Sequence, residues 1–241
     1  MIGEERLSEI ISKDVNVRFV EPHIYSVCTN DENMTSYDRR FGILYDCVAC
    51  NRFYNRIVWG YRTSDYYPFC HNALTSSADG WMLDAGCGSL AFSSRAYINN
   101  TQRPVALLDK SLRLLRIAKS RLIKLNGHIP GNMVFVHGDA LQLPFKPKSI
   151  KTIISLNLLH VLEDIEGILQ GMRTVLSDGG TIFLTTLVEN NRFSDTYLRM
   201  WGRAGEVVPR TADQLFSVFD ALGIPVKYRI RGNMAFISNN I

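Results

Sequence analysis

A chain of 241 residues with 46% hydrophobic content can fill one substantial core with an appended lid, and a net charge of +4 falls short of the dense basic stripe that by itself marks a nucleic-acid binder. No apolar run approaches a membrane span, and the opening MIGEERLSEIISKDV carries acids early instead of a basic then apolar leader, so the chain reads as soluble and cytoplasmic. Five cysteines, Cys28, Cys47, Cys50, Cys70 and Cys87, read as free thiols. The single Cys47-Val-Ala-Cys50 pair lacks the second close pair of a zinc site, so no metal is assigned.

Residues 1–75 carry aromatic-rich helical pieces such as YNRIVWGYRTSDYYPF and no strong strand alternation, which predicts an N-terminal helical cap or substrate lid. From residue 76 to 241 short β-branched runs alternate with longer stretches of helical period, the pattern of βαβ units in an α/β domain. WMLDAG is the first predicted strand and SLAFSSRAYIN the first helix. PVALLD follows as a strand, and then a helix with Leu112, Leu115, Ala118 and Leu122 on one face is stopped by Gly127. NMVFVHGD and IKTIISLN are the next strands. DIEGILQGMRTVLSDGG reads as a helix with a glycine stop, and TIFLTTLV as a fifth strand. The polar stretch 189–210 reads as a second lid element, TADQLFSVFDALG as a capped helix, and two apolar runs split by Gly232-Asn233 as a hairpin.

The stretch GWMLDAGCGSLAF runs a strand into Asp84 and two glycines, a turn suited to a nucleotide-like ligand. Gly86, Gly88 and Ala91 satisfy the dinucleotide fingerprint G-x-G-x-x-A, and Asp109 at the end of the second strand can hold ribose hydroxyls. Asp84, however, would crowd a pyrophosphate and suits a ligand carrying an ammonium group. Asp139-Ala140, ending the third strand, suits an adenine amino group and ring. The terminal hairpin stands where a second mononucleotide-binding half would be.

On these residues the chain resembles the class I S-adenosylmethionine-dependent methyltransferases, and more loosely their small-molecule, ubiquinone-biosynthesis-like (type 11) group. The likeness runs from Trp81 to Ile241: LDAGCGS resembles the first motif, Asp109 of ALLDKS the ribose-binding acid, GDALQLPF the adenine-side motif, and SLNLLHVLED the segment beside the transferable methyl. It implies a Rossmann-like, mostly parallel seven-stranded sheet with an antiparallel last strand, and S-adenosylmethionine as cofactor. Carried over residue by residue, it implies a cofactor site of Asp84, Ala85, Gly86, Cys87, Gly88, Asp109, Lys110, Asp139, Ala140 and Asn157. The chain departs at Leu90, where a third glycine is common.

A sulfonium-bound methyl is already activated, so few catalytic groups are required. His160, just after the fourth strand, reads either as a general base or as a structural histidine that caps a helix or packs on the lid. Tyr61 and Tyr67, with Trp59 and Tyr66, read as a substrate pocket or equally as a helix packed on the sheet. Tyr37 and Arg40 are substrate candidates only because they precede the core. The cations from Arg113 to Lys124 read as the solvated side of an amphipathic helix. The function implied is methyl transfer to an oxygen, nitrogen or carbon of a small molecule. A tRNA or rRNA methyltransferase stands second, a non-catalytic S-adenosylmethionine-binding protein third, and a nicotinamide-dependent dehydrogenase last. The expected partner is a small molecule rather than nucleic acid or a membrane, and a homodimer is allowed.

Overall fold

The computed structural model describes residues 4–28, 51–77, 79–190 and 192–239. Among the described residues nine strands form one sheet: β1 (Arg18–Glu21), β2 (Ile24–Ser26), β3 (Trp81–Ala85), β4 (Val105–Asp109), β5 (Met133–His137), β6 (Ile150–Leu156), β7 (Leu176–Leu187), β8 (Lys227–Arg231) and β9 (Met234–Ser238), in the order β1-β2-β5-β4-β3-β6-β7-β9-β8. β3 and β4 are buried at every residue, as parallel strands covered on both faces must be. The order reverses at β3, whose neighbours are β4 and β6, so the carboxyl ends of these strands flank the crevice in which open α/β sheets bind ligands. β9 runs antiparallel to β7, as expected of the last strand.

The seven expected strands are present and two more extend the sheet. β1 and β2 pair antiparallel, and β2 joins β5 in parallel with Ile24 opposite Phe135. Residues 18–26 are therefore strand where a helical cap was expected, while helical turns occupy Arg52–Tyr54, Asn55–Trp59, Thr63–Asp65 and Tyr66–Thr75. These strands are too short to show alternation in sequence, and β1 is largely solvent-facing. Their fold comes from the β5 edge and from Glu21, which pairs with Arg116 and Lys119 of the adjoining helix.

Helices cover both faces. α1 (Glu4–Ser8), α5 (Ile165–Val175) and α7 (Ala212–Ala221) pack Leu7, Ile168 and Phe219 on one face, where Leu83 and Ile153 point. On the other, α2 (Tyr66–Thr75), α3 (Ser94–Ile98) and α4 (Leu112–Asn126) pack Tyr66, Tyr97 and Leu115 on Met82 and Leu107, and α6 (Ser194–Arg203) adds Leu198. The predicted stripe Leu115, Ala118 and Leu122 is buried, and Gly127 caps α4 at φ 79°. Two helix boundaries differ from the sequence reading. α3 begins only at Ser94, because residues before it turn through left-handed backbone at Leu90. α5 ends at Val175, not at the glycines, because Leu176 turns extended and pairs with Ile150.

Thr211 opens α7 with a capping box, accepting from Gln214 N–H at 3.2 Å while the Gln214 side chain accepts from Thr211 N–H at 2.9 Å. Thr211→Ala should lower stability by about 1 kcal/mol in urea unfolding.

Before α2, Arg52–Tyr54 continues into a π-helix, Asn55–Trp59, closed by Gly60 at φ 73°. Its last carbonyl, on Trp59, accepts from Asn233 N–H at 2.8 Å. The Gly232-Asn233 hairpin turn thus docks on this segment, and a Cβ at Gly232 would collide with the Trp59 carbonyl. Only glycine combines that approach with φ 61°.

Candidate cofactor and active site

β3 ends at the sheet centre, and Ser155 Oγ of β6 donates to the Ala85 carbonyl at 2.6 Å, fixing the strand as it enters the glycine turn. Gly86 and Cys87 both donate their N–H groups to the Leu108 carbonyl at 2.9 Å, and Gly88 N–H goes to Asp109 Oδ2 at 2.7 Å. These three amides face β4, so they do not form the phosphate cradle that a dinucleotide pyrophosphate needs, and α3 starts several residues too late to supply one. The glycines have a different use. Gly86 (φ 73°) has the Leu158 side chain against its open side, while the space beside Gly88 (φ 54°) is empty. Leu90, standing where a third glycine is common, takes the same left-handed conformation at φ 55° and is 1% exposed. The turn is therefore kept at the expense of backbone strain, offset by burying a leucine side chain.

Asp84 is 1% exposed; its Oδ2 accepts the Tyr97 hydroxyl at 2.7 Å, and its Oδ1 is buried with no hydrogen-bond partner among the described residues. Burial pushes its pKa up to about 7, against the Tyr97 hydrogen bond, which lowers it, and with help from the Asp109 charge. Asp109, ending β4, also takes Ser111 N–H on Oδ1 at 2.8 Å. Across the crevice Lys110 Nζ pairs with Asp139 Oδ2 at 2.7 Å, Asp139 Oδ1 caps Leu141 N–H, and Ala140 is buried. The ends of β3, β4 and β5 thus bring together Asp84, Ala85, Gly86, Cys87, Gly88, Asp109, Lys110, Asp139 and Ala140.

Asn157, just past β6, holds left-handed backbone at φ 60°. Its Oδ1 accepts from Tyr66 Oη at 2.8 Å and from Thr185 Oγ1 at 3.2 Å. Tyr66 is fully buried and stacks on Phe92 at 4.3 Å between centroids, so the N-terminal segment reaches both the chain after the glycine turn and the end of β6.

His160 lies in the turn after β6, 4% exposed, with Leu187 N–H donating to Nδ1 at 3.3 Å and its carbonyl accepting from Val208 N–H at 2.7 Å. An Nδ1 that accepts leaves the proton on Nε2, the arrangement of a buried clamp more than of a free base. Burial lowers its pKa to about 4. The sign follows: the unfolded chain takes up a proton that the folded one refuses, so this stability is complete above about 6.5 and is lost as pH falls toward 4, by roughly 3 kcal/mol. Asp84 works in the opposite sense, its raised pKa weakening the fold as pH rises toward 7. Urea unfolding of His160→Gln should show a flatter acid limb between pH 6.5 and 4 than the parent chain.

Tyr61 is buried, donating its hydroxyl to Asn55 Oδ1 at 2.7 Å. Tyr67 stands 39% exposed on α2, accepting from Asn99 and stacked on His71. The two are not brought together. Tyr37, Arg40, Cys47 and Cys50 lie outside the described residues. Among the described residues no three His, Cys, Asp or Glu side chains gather as metal ligands, and no helix is long and apolar enough to cross a membrane. Tyr97 was absent from the residues expected at the site. No local pattern marks it, since its meeting with Asp84 depends on how the turn at Leu90 aims α3.

This geometry defines a class I, Rossmann-like methyltransferase fold. A family profile described as "Methyltransferase domain" matches residues 76–212, more than half of the chain, and the chain belongs to that family. No curated protein matches it significantly by sequence. Among solved structures it is similar to a candidate S-adenosylmethionine-dependent methyltransferase from Methanococcus maripaludis, at 17% identity and TM-score 0.59 over 87% of this chain and 95% of that one. Phosphoethanolamine N-methyltransferase 2 of Haemonchus contortus, solved with phosphomonomethylethanolamine and S-adenosylhomocysteine, aligns at 18% identity and TM-score 0.61 over 80% of this chain and 44% of that one. A candidate methyltransferase in complex with the Haloferax volcanii Trm112 activator aligns at 14% identity and TM-score 0.58 over 84% and 96%. At these identities the likeness shows the fold.

The enzyme is an S-adenosylmethionine-dependent methyltransferase, and the residues present fit that cofactor. A buried carboxylate oxygen without a partner at Asp84 matches an ammonium group, and the empty space beside Gly88 admits a ligand close to the backbone. When bound, the cofactor supplies a sulfonium-activated methyl group.

Proposed function

We propose that the chain transfers the methyl group to a small-molecule acceptor held between the glycine turn and the end of β6, with residues 51–75 and 189–210 acting as its lids. The observation that carries this reading is Tyr66, a residue of the N-terminal segment, buried against Phe92 and hydrogen-bonded to Asn157. A wall at that point leaves room for a compact acceptor and obstructs a duplex. The basic helix supports the same choice, because Arg116 and Lys119 of α4 are engaged by Glu21.

In this reading Asp109 holds the ribose hydroxyls, Asp139 and Ala140 the adenine, and Asp84 with Gly86, Cys87 and Gly88 the methionine part. Ala85, Lys110 and Asn157 complete the site. Positioning and exclusion of water do most of the work. His160 holds the turn after β6 to β7, while Tyr61 supports Tyr66 from behind, and Tyr67 stands on the acceptor side.

The test is transfer of label from methyl-tritiated cofactor to a panel of small phenols, amines and carbon acids, run beside total RNA. Label in small molecules with no salt-sensitive RNA binding is the expected result. Label confined to RNA would overturn the reading in favour of a tRNA or rRNA methyltransferase, and binding without any product would favour a non-catalytic role.

A further inference from the structure

Asp84 has two unlike oxygens. Oδ2 accepts the Tyr97 hydroxyl at 2.7 Å, while Oδ1 is buried with no partner among the described residues, so a proton on this carboxyl sits on Oδ1, the atom left for a ligand. We propose that Tyr97 is a positioning residue that sets the charge state of Asp84, so that binding of a cationic amino-acid group at the end of β3 expels a proton to solvent. The inference rests on the S-adenosylmethionine site described above.

The groups acting on this carboxyl among the described residues can be named. Its strand neighbours are apolar, Leu107 on β4 and Ile154 on β6. Among the described residues Tyr97 faces it from α3, Cys70 from α2, Cys87 from the glycine turn and Asp109 from the end of β4, and none of these is a cation. Burial and the Asp109 charge favour the neutral acid, and the Tyr97 hydrogen bond holds it toward the carboxylate. Tyr97 can do this because it is itself fully buried and stays a phenol, burial and the Asp84 charge keeping its own pKa well above the usual range. The free protein is thereby balanced between the two forms near neutral pH. An ammonium on Oδ1 removes that balance: the acid loses its proton to water and the carboxylate–ammonium pair forms.

Calorimetric titration with S-adenosylhomocysteine in buffers of different ionisation enthalpy reads the released proton directly. The parent chain should release about half a proton at pH 7 and little at pH 9, and below neutrality its affinity should fall by up to about tenfold per pH unit. Asp84→Asn should release none. Tyr97→Phe keeps the ring and removes the donor, so its release at pH 7 should exceed the parent's and the acid limb of its affinity profile should move to higher pH. A structural role alone would lower affinity equally at all pH values. 5′-Methylthioadenosine, which lacks the amino-acid part, should bind without release. An unshifted profile in Tyr97→Phe, or no release by the parent at pH 7, overturns the inference and leaves the cofactor site intact. Failure of both nucleosides to bind would remove the site itself, and this inference with it.

Discussion

Asp109→Ala should weaken binding of S-adenosylhomocysteine at least about a hundredfold, while the protein stays folded by circular dichroism. The carboxylate is 9% exposed, and each of its oxygens already takes a backbone N–H, from Gly88 at 2.7 Å and Ser111 at 2.8 Å. The carboxylate stands at the end of β4 on the rim of the crevice, where the proposed site places the ribose hydroxyls. Hydrogen bonds to a charged group contribute about 1.5–3 kcal/mol each, so losing two accounts for that factor. The truncation also frees the Gly88 amide and loosens the turn that must lie close to the ligand. Asp109→Asn, which keeps one acceptor oxygen, should fall between the two. An Asp109→Ala protein that bound as tightly as the parent would show that the ribose does not sit there.

Asn233→Ala should lower stability by about 3–5 kcal/mol. Asn233 is fully buried, with Nδ2 on Asp195 Oδ1 at 2.6 Å and on the Val188 carbonyl at 2.9 Å, and Oδ1 accepting from Ser194 Oγ at 2.6 Å. Asp195, 6% exposed, otherwise accepts from the Asn190 and Arg192 amides. The substitution leaves that carboxylate short of a donor and loosens the hairpin turn that Trp59 holds. In urea the transition should shift with an unchanged slope. Asn233→Asp should be at least as harmful, placing a second carboxylate against Asp195. A loss below about 1 kcal/mol would mean that the network is solvated and contributes little.

The residues that were legible in the sequence are those whose role is local. Asp84, Gly86, Gly88, Asp109 and Asp139 fall at successive strand ends, where an apolar run stops at an acid or a glycine, and the structure brings them to one rim. What escaped depends on distant partners. The Tyr66–Asn157 bond joins positions 91 apart, and Asn233 meets Asp195 from 38 away, so neither leaves a local pattern. β1 and β2 exist because β5 offers an unpaired edge, which no periodicity in seven short-strand residues could announce. His160 drew attention as a lone histidine after a strand, and its burial against β7 is again a tertiary fact. Leu90 shows the converse case: the departure from glycine changed the residue and kept the backbone.

The most direct test is a crystal structure of the chain grown with S-adenosylhomocysteine. The ribose hydroxyls should lie on Asp109, the adenine beside Asp139 and Ala140, and the amino group on the free oxygen of Asp84. A nucleoside seated elsewhere, or one whose amino-acid part turned away from Asp84, would contradict this assignment of the site.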